Sequence, residues 1–149
     1  MKIALGSDHA GFSLKENVIE YIEASALTYI DHGVFSEDSA DYPDIAASVA
    51  QAVQSGESEY GILICGTGIG MAIAANKYQG IRAALCGEAY SAKCAREHND
   101  ANILTMGSRV IGSGLVLSIV DVFLNTSFAG GRHNNRLHKI SLLENDKMN

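Results

Sequence analysis

The chain has 149 residues, 47% hydrophobic and 19% charged, with a single proline and a formal charge of -6. That length and composition predict one domain over residues 1–149 around one packed core, burying roughly 70% of the unfolded surface. The negative charge sets nucleic acid and anionic membranes aside as main partners, because both call for a net positive surface.

The opening run Met1-Lys2-Ile3-Ala4-Leu5-Gly6-Ser7-Asp8-His9 is too short in apolar residues for a signal peptide, and no later stretch approaches the ~20 of a membrane span. A cytoplasmic location is expected. Cys65, Cys86 and Cys94 are odd in number and lack metal-type spacing, so neither a disulfide framework nor a structural zinc site is expected.

Lys2 to Gly6 reads as a first strand, with Asp8-His9 just beyond it. Phe12 to Glu23 then places Leu14, Val18 and Ile22 on one helical stripe. Leu27 to Asp31 is a second strand, Asp44 to Gln54 an Ala/Val-rich helix, and Tyr60 to Cys65 a strand whose run Ile62 to Ile64 suits burial on both faces. The alternation continues with helix Met71 to Tyr78, strand Arg82 to Cys86, helix Tyr90 to Glu97, strand Ile103 to Met106 and helix Gly114 to Leu124. This order predicts an α/β fold: a doubly wound, five-stranded parallel sheet with helices on both faces, Rossmann-like, binding ligands beyond the carboxyl ends of its strands. Beyond the alternation, Arg132 to about Asn145 carries Leu137, Ile140 and Leu143 and predicts an extra C-terminal helix. It either packs on a second subunit or folds back over its own sheet.

Cys65 ends a buried strand directly before Gly66-Thr67-Gly68-Ile69-Gly70. A free cysteine at a strand end is commonly a small core residue. Here the glycines let several backbone N–H groups converge, and a helix starting near Gly70 adds its dipole, a setting for a phosphate, an oxyanion or a thiolate. The spacing also invites comparison with a dinucleotide fingerprint, with Glu88 at the distance of a ribose-binding acid; Met71 stands where its third glycine belongs, so a nucleotide-binding module is the alternative from another class. A thiol redox protein is a further alternative, although no C-x-x-C is present.

Asp8-His9 is either a helix cap with a surface histidine or a pair that fixes a sugar hydroxyl or phosphate. His98-Asn99-Asp100-Ala101-Asn102 is a polar turn whose histidine and carboxamides also suit carbohydrate. His32 and His138 have no such company, and Cys86 and Cys94 read as packing residues. Arg132 and Arg136 share a helical face behind Gly130-Gly131, and Arg109 follows the fifth strand; they form a solvated basic edge or, in an acidic chain with few arginines, a clamp for a dianion.

These motifs together resemble the type B ribose-5-phosphate isomerases, a family that includes galactose-6-phosphate and allose-6-phosphate isomerases. The likeness spans Gly6-Ser7-Asp8-His9-Ala10-Gly11, Asp41-Tyr42-Pro43, Ile64 to Gly70, Ala75-Asn76-Lys77, Gly80-Ile81-Arg82-Ala83, His98 to Asn102, Gly107-Ser108-Arg109 and Gly130-Gly131-Arg132-His133. The resemblance implies that Cys65 is the base moving a proton between C1 and C2, that His98 opens the furanose ring, and that Thr67 donates to an enediolate oxygen. By the same resemblance Gly66, Thr67, Gly68, Ile69 and Gly70 hold the enediolate, Asp8 and Asn99 bind sugar oxygens, and His9, Arg109, Arg132 and Arg136 bind substrate, the arginines chiefly at the phosphate. Another branch of the family uses a glutamate base farther along this loop and serine at the cysteine position; Met71 occupies the glutamate position, which places this chain with the cysteine branch. The implied activity is metal-free and cofactor-free interconversion of D-ribose 5-phosphate and D-ribulose 5-phosphate, with a hexose 6-phosphate as the alternative substrate. The implied assembly is a homodimer, or a tetramer built from dimers, with sites shared between subunits.

Overall fold

The computed structural model describes residues 1–146, along which strands and helices alternate as the apolar periodicities predict. The strands are β1 (Lys2–Ser7), β2 (Thr28–Asp31), β3 (Tyr60–Cys65), β4 (Ala83–Leu85) and β5 (Ile103–Gly107). Between them run α1 (Phe12–Ala24), α2 (Tyr42–Gln54), α3 (Ile69–Ala75) and α4 (Ala89–Asn99), followed by α5 (Ser113–Asn125) and α6 (Arg132–Asp146). Every strand pairing is parallel and the order is β2-β1-β3-β5-β4.

The central strands are buried from Ile3 to Ser7 and from Gly61 to Cys65, which is why they read as unbroken apolar runs. Successive side chains point to opposite faces. Ile3, Leu5, Ile62, Ile64, Leu104 and Met106 therefore pack with α1, α4 and α5, whereas Ala4, Leu63, Cys65 and Ile103 pack with α2 and α3. The expected stripe Leu14, Val18 and Ile22 is the buried face of α1.

Several boundaries differ from expectation by a few residues, and at three of them the reason is local. α2 begins at Tyr42 because Pro43 fits the first helical turn, where no N–H is needed. α3 ends at Ala75, and the chain tightens through Lys77 N–H to Ala74 O and Tyr78 N–H to Ala75 O, both 3.1 Å. β4 starts after Arg82, whose N–H is taken at 2.8 Å by the Asn102 side-chain oxygen.

Lys15 gave no signal in the sequence beyond a polar residue on α1, yet it is fully buried. Its ammonium donates to both oxygens of Asp31 and to Val34 O, each at 2.7 Å, and lies 5.2 Å from the centroid of the Phe35 ring. The end of β2 and the following loop are thereby fastened to α1. Lys15→Met should destabilise the fold by about 2 kcal/mol, less than for a fully buried pair because Asp31 keeps some access to water. Urea unfolding measures this, and a change below about 0.5 kcal/mol contradicts the anchoring role.

Candidate active site

The chain leaves β1 for β2 on one side and returns to β3 on the other, so the carboxyl ends of β1 and β3 flank a crevice at the point where strand order reverses. Asp8 follows β1 and Cys65 closes β3. The Asp8 N–H donates to Ile64 O at 3.1 Å, and the Asp8 carboxylate accepts from the Gly11 N–H at 3.0 Å, so the carboxylate is held against the turn rather than capping α1.

Cys65 is nearly buried, and its sulfur accepts from the Gly68 N–H at 3.1 Å. Gly68 has φ +79, the left-handed conformation that glycine adopts at little cost, and a Cβ there would meet Met106 backbone at 2.8 Å. Gly107 must likewise lack a side chain, because its Cβ would lie 2.7 Å from the Thr67 backbone. The loop thus lies directly on β5, and the first N–H groups of α3, which lack intrahelical acceptors, follow it in the chain. Ile69 N–H donates to Thr67 Oγ1 at 3.3 Å, leaving the exposed Thr67 hydroxyl proton free to donate outward.

Arg109 extends past Gly66, with its Nε and Nη1 3.5 Å from where a Gly66 Cβ would stand. His9 joins the same end. Its Nδ1 accepts from the Ala40 N–H at 3.3 Å, which places the ring proton on Nε2 and makes that nitrogen a donor. Asp8, His9, Cys65, Gly66, Thr67, Gly68, Ile69, Gly70 and Arg109 are therefore grouped at the carboxyl ends, where strand order places them. A hollow of about 410 Å³ between Thr67, Leu85, Gly107 and Val110 adjoins this group.

The other expected residues lie elsewhere in the chain. α4 runs antiparallel to the strands, carrying His98 and Asn99 to the amino end of the sheet, where Asn102 O accepts from the Gly61 N–H at 2.9 Å. Gly61 and Cys65 are separated along β3 by ~13 Å. Arg132 and Arg136 belong to the same distant group, because α6 begins beside the end of α4: Ala129 N–H donates to Glu97 O at 3.0 Å, and His133 stacks on His98. One chain thus presents two half-sets at opposite ends of its sheet.

Several residues that composition left unmarked shape these halves. Ser108 Oγ donates to Ala10 O at 2.7 Å and lies 3.2 Å from Cys65 O, joining the loops after β1, β3 and β5. The Tyr42 ring covers Gly70. At the amino end Asp100, with φ +44, accepts from Arg96 Nη1 at 2.8 Å and from Arg82 Nη2 at 3.0 Å, and Arg96 lies 4.7 Å from the centroid of the Tyr60 ring. Only the left-handed Asp100, a helix-terminating geometry, had a signal legible in the turn composition.

The rival chemistries lose their key residues. Glu88 caps α4, accepting from the Tyr90 and Ser91 N–H groups at 2.6 and 2.7 Å as well as from the Ser91 hydroxyl, and these bonds, the Ser91 hydroxyl first, hold its carboxyl below the usual range. It is therefore committed to the helix rather than to a ribose. Burial, with a smaller contribution from Glu88, pushes the Cys86 thiol up to about 11, which suits packing and not redox exchange. Cys94 is half-buried rather than a core residue.

A doubly wound parallel sheet with a thiol, a carboxylate, an imidazole and a glycine loop at its switch point defines a small-molecule enzyme of the α/β class. The sequence matches the Ribose/Galactose Isomerase family over residues 3–140, and the chain belongs to that family. It is 49% identical to ribose-5-phosphate isomerase B of Escherichia coli over 143 residues, 96% of each chain. Ribose-5-phosphate isomerase B of Clostridium thermocellum superposes with a TM-score of 0.98 at 50% identity, covering 99% of each chain. The Mycoplasma genitalium ribose-5-phosphate isomerase B, solved with bound ribulose 5-phosphate, superposes at 0.92 with 40% identity over 97% of this chain and 96% of that one.

Proposed function

We propose that the chain is an aldose-ketose isomerase that interconverts D-ribose 5-phosphate and D-ribulose 5-phosphate through an enediolate. The observation that carries this reading is the Cys65 sulfur, seated at the switch point and hydrogen-bonded to the Gly68 N–H. Removing a proton from carbon beside a carbonyl is slow because the resulting oxyanion is unstable, so fixed N–H donors supply the largest contribution and a base of suitable pKa the next. Cys65 takes the proton from C2 of the open-chain aldose. The proton returns at C1, while the hydroxyl proton passes from O2 to O1. Loop N–H groups from Gly66 to Gly70 and the Thr67 hydroxyl hold the enediolate, and Asp8 binds a sugar hydroxyl. The full-length likeness to ribose-5-phosphate isomerases B supports the pentose substrate. Incubation with ribose 5-phosphate, allose 6-phosphate and galactose 6-phosphate, followed by ketose measurement, should show ribose 5-phosphate turned over fastest. Faster turnover of either hexose phosphate overturns the pentose assignment.

His98 opens the ring, Asn99 binds sugar, and Arg132 and Arg136 with Arg109 clamp the phosphate. Because the two half-sets stand at opposite ends of one sheet, this reading needs the His98 group of a second copy, with each site built from two chains. The apolar stripe of α6 supports such an assembly, since Ile140 and Leu143 are 40% and 63% exposed on the single chain. His98→Asn should impair turnover of cyclic ribose 5-phosphate at least ~100-fold, while C2 proton exchange in an open-chain analogue stays within a few-fold of wild type. Equal losses on both substrates would remove ring opening from His98. No helix among the described residues is long and apolar enough to cross a membrane, which is consistent with a cytoplasmic enzyme.

A further inference from the structure

We propose that His133 is the positioning residue for His98: its buried ring, stacked on the His98 imidazole, fixes the plane of that imidazole. This rests on the reading of His98 as the residue that opens the sugar ring. The two rings are 4.6 Å apart at their centroids and 13° from parallel. They differ sharply in exposure. His133 is 7% exposed, whereas the His98 side chain is 42% exposed.

The backbone sets this arrangement. Gly130 and Gly131 both take positive φ, +63 and +56, and turn the chain into α6, where the His133 N–H donates to Gly130 O at 3.1 Å. The preceding Ala129 is tied to Glu97 of α4, so the chain entering α6 is joined to α4 at the residue next to His98. An isolated surface histidine samples several rotamers; one packed flat against a fixed ring does not. A residue that must meet a ring oxygen at hydrogen-bond distance gains rate from that restriction.

The nitrogens of His133 explain why its own ring resists protonation. Nδ1 of His133 is buried and has no hydrogen-bond partner among the described residues. As a bare acceptor it is tolerated at modest cost, but protonation of the ring would make it a buried N–H with nothing to receive it. The surroundings act in the same direction: burial first, then His98 of α4 and Arg132 and Arg136 of α6, hold its pKa below the ordinary histidine value, with Glu97 of α4 opposing them. His98 has solvent on its open side and Glu97 Oε2 4.0 Å from its Nε2. A positive charge on the His133 ring is thus disfavoured.

Two variants separate flatness from proton chemistry. His133→Phe keeps a planar buried face without nitrogens, and His133→Ala removes the face. Turnover of cyclic ribose 5-phosphate should stay within about threefold of wild type for His133→Phe and fall at least about tenfold for His133→Ala, with C2 proton exchange of an open-chain analogue near wild type in both. Imidazole NMR of the wild-type protein should show His133 taking up its proton at a lower pH than an ordinary histidine does. The same spectra of His133→Ala should show His98 signals averaged by rotation, a change that simple destabilisation does not produce. The proposal is overturned if His133→Phe loses as much as His133→Ala, if His133→Ala turns over cyclic substrate normally, or if the His98 signals of His133→Ala show the same fixed ring as in the wild type. Should His98→Asn itself spare cyclic turnover, the ring-opening assignment fails, and the NMR spectra still decide whether His133 fixes the ring.

Discussion

Cys65→Ala is expected to lower isomerisation of ribose 5-phosphate at least ~100-fold while retaining the fold and phosphosugar binding. The side chain is small and lies at the edge of the core shared with α2 and α3, so its loss opens little space; what disappears is the proposed base. Binding should persist because the loop N–H groups, Asp8 and the arginines are untouched. The Gly68 N–H loses its acceptor, and its partner in the variant is solvent or substrate. Steady-state kinetics together with calorimetric titration of the phosphosugar separate the two effects. Near-normal turnover would reject Cys65 as the base. Iodoacetamide should inactivate the wild-type protein, substrate should protect it, and mass spectrometry should place the protected label on Cys65 rather than on Cys86, whose raised pKa keeps it protonated at neutral pH.

The second large effect is a recovery of activity. Assayed at a substrate concentration near the wild-type KM, Cys65→Ala and Arg136→Ala proteins should each be nearly inactive when alone, since on the proposed reading one lacks the base and the other part of the phosphate clamp. Mixed, dissociated and re-associated, they should regain up to roughly a quarter of wild-type activity, because random pairing makes half of the dimers mixed and each mixed dimer holds one intact site of two. The expectation follows from geometry: Arg136 lies on α6, which begins beside the end of α4, at the end of the sheet remote from Cys65. Arg136→Ala should raise KM most, with a loss in kcat to the extent that phosphate binding positions the reacting carbons. If the mixture stays inactive although subunit exchange is demonstrated, the clamp serves its own chain and the site is not shared.

Much of the carboxyl-end half was legible in the sequence because its signals are local. A buried strand, a thiol at its end and three glycines spaced by single residues lie within eleven consecutive positions, Tyr60 to Gly70, and backbone sterics make their meaning independent of distant residues. The same holds for the alternation of strands and helices, since apolar periodicity reports which face each element buries. Arg132 and Arg136 were legible as one helical face for the same reason.

Tertiary structure decided everything that depends on which elements become neighbours. The strand order β2-β1-β3-β5-β4 puts the switch point between Asp8 and Cys65, 57 residues apart in the chain, and no local pattern encodes that choice. Long-range contacts alone bury Lys15 under Asp31 and Val34 and stack His133 on His98, whereas Glu88 becomes a helix cap through bonds to its near neighbours Tyr90 and Ser91. Long-range contacts also separate into two half-sets the residues that the family resemblance assigns to one site. A helix connecting two parallel strands must run back against them, so residues at its start and end lie at opposite ends of the sheet whatever their chemistry. Sequence by itself determined the elements and the chemical character of each loop, because those follow from periodicity and backbone freedom; the direction in which each loop faces follows only from how the strands assemble.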